Sequence, residues 1–265
     1  EIGGKPAVEW VKATEAELAK LDNVRLLRRT TAFGCYDGGT YGAVERVSDH
    51  IAAALPGMPR QRLWRIVAKR TVLAAGATER PIVFGNNDGS VVMLAGAVRT
   101  YINRYGVVPG HRAIVFTNND DGVSTVRELL RAGADIVALP KTRQIAAEAQ
   151  TRLITGAVVT GALGGKCVTG AEVRTASGDT VTLDCDLIAM SGGWNPNLQL
   201  STHQGSKPVW NDRLLCFTPG VLPHGMAVAG AANGEFTLTQ CLANGAAAGA
   251  AAAADAGFGQ GSAPA

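Results

Sequence analysis

The chain has 265 residues, 46% of them hydrophobic and 18% charged, which excludes general disorder and allows one large domain or two small ones around a sizeable core. A net charge of +3, from 25 basic and 22 acidic residues in mixed order, points to no polyanionic partner. With aromatic residues at only 5%, a base-stacking nucleic-acid surface is excluded as well.

Glycine is in excess, at 33 residues or about 12% against an average of ~7%. The glycines follow no collagen-like period and cluster beside strand-like runs, which implies tight turns and close backbone approach. Five cysteines (Cys35, Cys167, Cys185, Cys216 and Cys241) form no CxxC pair, so neither a zinc site nor a full disulfide framework is expected. A reducing, cytoplasmic location follows. No apolar run reaches the ~18 residues that span a bilayer, so no membrane partner is expected. The chain opens on Glu1 without a leader pattern, as a processed or partial product would.

Residues 6–21 read as an amphipathic helix, with Pro6 in its first turn and Val8, Val11, Leu18 and Leu21 three or four apart. Short strand-like runs follow at 24–28, 33–36 and 42–47, then a loop over 52–62. Residues 62–75 alternate at first and end in an apolar run before Gly76. This block predicts a β-meander followed by a buried parallel strand. Residues 91–104 read as a helix broken by Pro109-Gly110. A strand at 113–116, a polar turn at 118–122, a helix at 124–132 and a strand at 136–139 make a βαβ unit. A second meander is predicted at 153–161, 166–175 and 180–183, turning at Ser177-Gly178-Asp179. Another buried strand covers 187–190. After a loop-rich stretch to Pro223 come a strand at 226–229, a turn at 230–234, and a helix from Leu238. Ten of the fourteen residues 243–256 are Ala, which favours that helix. Residues 257–265 read as a tail, and there is no internal repeat.

Three glycine motifs stand where parallel strands end, the usual ligand crevice of α/β sheets. They are 72–81 (VLAAGATERP), 188–196 (IAMSGGWNP) and 228–234 (VAGAANG). In the third, the following helix start would favour a pyrophosphate through its amides and dipole. Any one of them alone is compatible with an ordinary glycine turn.

In this order the motifs resemble the two-dinucleotide-fold flavoproteins typified by glutathione and thioredoxin reductases. Longer strings at 77–88 (ATERPIVFGNND), 97–122 (AVRTYINRYGVVPGHRAIVFTNNDDG) and 191–200 (SGGWNPNLQL) are similar to the alpha subunit of heterotetrameric sarcosine oxidase, over residues 1 to about 256. Subunits of opine oxidase, proline dehydrogenase and cyanide synthase complexes share the architecture. The expected fold is therefore α/β, with parallel sheets and β-meanders. Residues 1–80 plus 192–265 would form a first nucleotide-binding domain, and 81–191 an inserted second one. No GxGxxG occurs in the chain, so the first βαβ unit is expected to be missing, as is the family's C-terminal folate-binding domain. The chain then corresponds to the central part of a longer subunit, and in isolation it should self-associate or aggregate.

The resemblance implies an NAD in the first site. Thr31 and Ala32 would lie near the adenine, and Ala75 and Gly76 at the strand end. Gly230 and Asn233 would lie by ribose or pyrophosphate, and Leu238 and Thr239 would present helix amides. The parent complex would oxidise sarcosine to glycine with O2 and tetrahydrofolate. Its FAD and FMN would lie outside this segment, and its partners would be beta-, gamma- and delta-type subunits. The alternatives are a subunit of another amine, opine or imino-acid dehydrogenase, or a scaffold that binds no nucleotide.

At the second fold, Thr117-Asn118-Asn119-Asp120-Asp121-Gly122 replaces the glycine fingerprint and keeps only its third glycine. Thr117 and Asn119 would crowd a pyrophosphate, and the two aspartates carry the wrong sign. Thr117, Asn118, Asn119 and Gly122 therefore mark a second site that is vestigial or altered for another ligand. Lys141 and Arg143 stand where a ribose-binding acid is expected, and either meet a 2′-phosphate or are solvated. No catalytic residue is expected. His50, His111, His203 and His224 are scattered, and no metal set is visible. Cys167, Cys185 and Cys216 read as small buried hydrophobes, while Cys241 sits inside the last helix, where the dipole could lower its pKa.

Overall fold

A computed structural model describes residues 2–141 and 153–259. Helix α1 (Ala7–Leu18) follows Pro6 and ends three residues before its expected end. None of its residues is buried, so its apolar stripe, with Val8 65% exposed, faces no core. Strands β1 (Thr30–Tyr36), β2 (Thr40–Arg46) and β3 (Gln61–Val67) form the first meander, an antiparallel sheet in that order. Gly38 and Gly39 both take φ +66° in its first turn, and a side chain at Gly39 would lie 2.4 Å from the Ala68 carbonyl oxygen. Residues 24–28 are not a strand, contrary to expectation, and the sheet ends at β1. Arg25 instead stacks its guanidinium 4.4 Å from the Trp64 ring centroid.

Strand β4 (Thr71–Leu73) is the expected buried parallel strand, and β5 (Ala77–Glu79) follows it at once. Residues 92–94, expected as helix, are strand β6 (Val92–Leu94), and helix α2 (Ala95–Tyr105) begins only after it. The run Val91-Val92-Met93-Leu94 is apolar and β-branched, and a sheet edge lies beside it for pairing. Gly106, at φ +65°, closes α2 in a left-handed cap. Then come β7 (Arg112–Thr117), α3 (Asp121–Arg131) and β8 (Asp135–Lys141), the expected βαβ unit with its helix starting three residues early. Arg143 lies outside the described residues.

The predicted strand at 153–161 is two strands. β9 (Leu153–Thr155) pairs parallel with β8, and β10 (Val158–Gly164) turns away into the second meander with β11 (Val168–Arg174) and β12 (Thr180–Asp184). Gly156, at φ +73°, makes that break. Strand β13 (Leu187–Ser191) then enters the parallel sheet, giving the order β6-β13-β7-β8-β9. β14 (Trp194–Pro196) pairs antiparallel with β5, Trp194 opposite Glu79. A short helix α4 (Gln199–Thr202) and a hairpin of β15 (Val209–Asn211) and β16 (Cys216–Thr218) organise the stretch expected as loop. β17 (Met226–Val228) pairs parallel with β4, and a 3-10 turn (Gly230–Asn233) leads to helix α5 (Leu238–Asp255).

The five-stranded sheet is buried on both faces, and its central strands alternate accordingly. Ala113, Val115, Leu187 and Ala189 pack with Val98, Val126 and Leu129 of the helices. Ile114, Phe116, Ile188 and Met190 pack beneath the β10–β12 meander. A far smaller cluster, Leu73, Leu198, Val228 and Ala232, forms around β4 and β17, and no residue of α5 is buried. No described helix is long and apolar enough to cross a membrane.

Candidate functional site

Two crevices open at the carboxyl ends of parallel strands. The first lies past β4 and β17, where Leu73 is opposite Val228 and the Ala229 amide donates to the Leu73 carbonyl at 3.0 Å. Ala75 and Gly76 follow β4 on one side of this pairing, and Gly230 follows β17 on the other. Gly76 takes φ +72°, and no atom lies within 4 Å of where a side chain would sit. Gly230, at φ +65°, donates its amide to Asn244 Oδ1 at 2.9 Å, which ties the turn to α5. Asn233 ends the 3-10 turn, and Leu238 and Thr239 begin α5. Thr237 caps α5, its Oγ1 accepting the Gln240 amide at 3.3 Å. Asn197 braces the opposite strand end, its Nδ2 donating to the Ala75 carbonyl at 3.0 Å and its backbone amide to the Gly76 carbonyl at 3.0 Å. Thr31 and Ala32 are exposed on β1, opposite Val44 and Ala43 of β2.

The second crevice lies past β7 and β13, and here side chains stitch the turn together. Thr117 is fully buried; its hydroxyl donates to the Asn119 carbonyl at 2.9 Å and accepts the Asn119 amide at 3.1 Å. Asn119 Nδ2 donates to the Ser191 carbonyl and hydroxyl at 3.0 and 3.1 Å, while its Oδ1 accepts the Asp121 amide at 3.1 Å. The Asn118 amide donates to the Ser191 carbonyl at 3.2 Å. A methyl group on Gly122 would lie 2.5 Å from Thr117 Cβ. Arg99 of α2 grips Asp121 with both terminal nitrogens, at 2.8 and 2.5 Å.

Behind this turn lies Glu79, only 6% exposed, its Oε2 accepting the Gly96 amide at 2.8 Å. Burial pushes its carboxyl above the usual range, opposed by hydrogen bonding from Ser191 and by the Arg99 charge. Glu79 Oε1 and Arg80 Nε are buried without a hydrogen-bond partner among the described residues. A cavity of about 710 Å³ opens at the second crevice, and none of Ala75, Gly76, Gly230, Asn233, Leu238 and Thr239 lines it. Arg99, Asn118, Asp121, Trp194, Arg213 and Phe236 line it, together with Ala231 from the Gly230 turn. That volume is in the range of small-molecule sites. Among the described residues, no three His, Cys, Asp or Glu side chains are placed to hold a metal ion.

No protein-family model matches the sequence. The chain is 46% identical over 250 residues to the sarcosine oxidase alpha subunit of Rhizobium meliloti, covering 93% of this chain and 25% of that protein. It is 38% identical over 272 residues to the alpha subunit from Corynebacterium sp. strain P-1, covering 97% of this chain and 28% of the relative. The chain belongs to the sarcosine oxidase alpha-subunit family. It spans about a quarter of the length of these family members.

The fold agrees with that membership. L-Proline dehydrogenase from P. horikoshii superposes with a TM-score of 0.66 at 22% identity, over 94% of this chain and 46% of that one. Thioredoxin reductase from T. acidophilum gives 0.61 at 14% identity, over 94% and 79%. The two-dinucleotide-fold architecture expected from the glycine motifs is thus the observed one.

Several site residues were not legible in the sequence of this family member. Arg99, Arg213, Trp194 and Phe236 are spread over 138 positions and meet only at the cavity. Glu79 lay inside a quoted motif, but nothing marked it as buried. Asn244 is hidden in the alanine-rich helix. Among the cysteines, Cys185 and Cys216 are buried as expected, and burial pushes the Cys185 thiol up to about 11. Cys167 is a correction: it is exposed, because it lies in the turn between β10 and β11 rather than in a strand.

Proposed function

We propose that this chain is the nucleotide-holding part of the alpha subunit of a sarcosine-oxidase-type complex, with NAD in the first crevice. The observation that carries the reading is family membership at 46% identity over 93% of the chain, combined with a strand-end crevice that has the right parts. Gly76 leaves open space, and the first-turn amides of α5 at Leu238 and Thr239 have no partner within their own helix. These residues, with Ala75, Gly230 and Asn233, would hold the pyrophosphate and ribose. Thr31 and Ala32 would serve the adenine from β1.

In this reading residues 1–80 plus 192–265 form the nucleotide-holding domain, and 81–191 form the inserted second one. The whole complex, working in the cytoplasm, oxidises sarcosine to glycine, reduces O2 to peroxide and passes the one-carbon unit to tetrahydrofolate. That chemistry belongs to flavins held with the partner subunits, and this chain contributes no catalytic residue. Calorimetric titration with NAD, NADP, FAD and ATP tests the proposal. One-site binding selective for NAD is expected; no heat with any of the four would overturn it in favour of a scaffold that docks partners.

A further inference from the structure

We propose that Asp121 is an intramolecular counter-anion that closes the second crevice to phosphate, and so decides which ligands the cavity admits. The proposal holds whatever the first crevice binds. Helix α3 starts at the carboxyl end of β7, where first-turn amides and the positive end of the helix dipole ordinarily attract an anion. Here those attractions are already answered by the protein. Asn119 Oδ1 takes the Asp121 amide, and the Asp120 carbonyl takes the Val123 amide at 3.1 Å. The Asp121 carboxylate sits at the helix start and occupies both terminal nitrogens of Arg99 in the two-pronged geometry that guanidinium otherwise offers to phosphate.

The neighbouring helix repeats the arrangement. α2 begins at the same edge of the sheet, and its Gly96 amide is taken by the buried carboxyl of Glu79. Both helix starts along this edge are therefore served by a carboxylate of the chain. An entering phosphate would have to displace Asp121 from Arg99 and stand beside two aspartates. The buried Thr117 side chain adds a steric element, since it fills the space beneath Gly122 and stitches the turn in place.

Inorganic pyrophosphate is the probe, titrated calorimetrically at low ionic strength against the full chain. Asp121→Asn keeps the shape and removes the charge, and should bind pyrophosphate at least tenfold more tightly than the unaltered chain. Adding Arg99→Ala to that variant should abolish the gain, which separates this crevice from any binding at the first one. Equal affinity in the unaltered chain and in Asp121→Asn, or a gain that persists without Arg99, would overturn the proposal. A second measurement needs no variant: phenylglyoxal labelling of Arg99 in the unaltered chain, read by peptide mass spectrometry. Slow labelling that pyrophosphate leaves unchanged is expected, and protection of Arg99 by pyrophosphate would refute the closure.

Discussion

Gly122 lies in the first turn of helix α3, directly against the buried side chain of Thr117. Replacing it with alanine places a methyl 2.5 Å from Thr117 Cβ, 2.6 Å from Oγ1 and 2.7 Å from Cγ2, inside a fully buried site. Overpacking of this kind costs about 1–3 kcal/mol. Three contacts below 3 Å place this site in the upper part of that range, about 2–3 kcal/mol, and even with a full return of about 1 kcal/mol of helix propensity at this end position Gly122→Ala should lose about 1–2 kcal/mol. At roughly 2–4 °C per kcal/mol for a chain this long, Tm should fall by about 2–8 °C. Thr117→Ala alone loses the two hydrogen bonds to the Asn119 backbone and some packing, about 2 kcal/mol. In the double variant alanine at 117 still keeps the Cβ that lies 2.5 Å from the new methyl, so only the 2.6 and 2.7 Å contacts with Oγ1 and Cγ2 are relieved, and the two losses should fall short of additivity by about 1 kcal/mol. The assay is thermal or urea unfolding of the four proteins of the cycle. Additivity to within about 0.5 kcal/mol, or a Gly122→Ala variant as stable as its parent, would refute the idea that Thr117 is what requires glycine there.

Glu79 gives a pH prediction. Its carboxyl titrates above its unfolded value, so between the two values the native state holds the extra proton, and stability falls as pH rises through that window. Glu79→Gln removes the buried charge; its melting temperature relative to the parent should therefore rise between pH 4 and pH 7, and a constant difference would count against the burial argument. Thiol labelling of the native chain with iodoacetamide at pH 8 should modify Cys167 first and leave Cys35, Cys185 and Cys216 nearly unreacted; rapid alkylation of Cys185 would contradict its burial and its thiol pushed up to about 11. Sedimentation should show the chain self-associating when alone, because α1 and α5 bury no residue and Val8, Leu63, Val67 and Leu238 are each more than half exposed. A stable monomer at micromolar concentration would show that this surface is tolerated in water.

Much of the second half of the fold is written locally. Residues 113–116 and 187–190 are continuous apolar runs because both sheet faces are covered, and the intervening helix carries its own period. The polar turn at 118–122 and the hairpin at 177–179 announce themselves by composition. Residues 91–94 show where local reading fails: the same four apolar residues suit the first turn of a helix or an edge strand, and only the free side of β13 decides for the strand. The break at Gly156 is similar. A glycine permits a change of direction, but the sheet that each flanking strand joins depends on partners far along the chain.

The sequence by itself determined the α/β class, the strand-end glycine motifs, the altered turn at 117–122 and the likeness to one family. Those features rest on short-range patterns of polarity and backbone freedom, which a single strand of text carries. Only the tertiary structure decided that Glu79 is buried opposite Trp194, that Arg99 grips Asp121, and that Trp194, Arg213 and Phe236 face one cavity with Arg99 and Asp121. Each depends on which distant segments the parallel sheets bring to the same edge, and burial and charge pairing are properties of that juxtaposition rather than of any residue's neighbours in sequence.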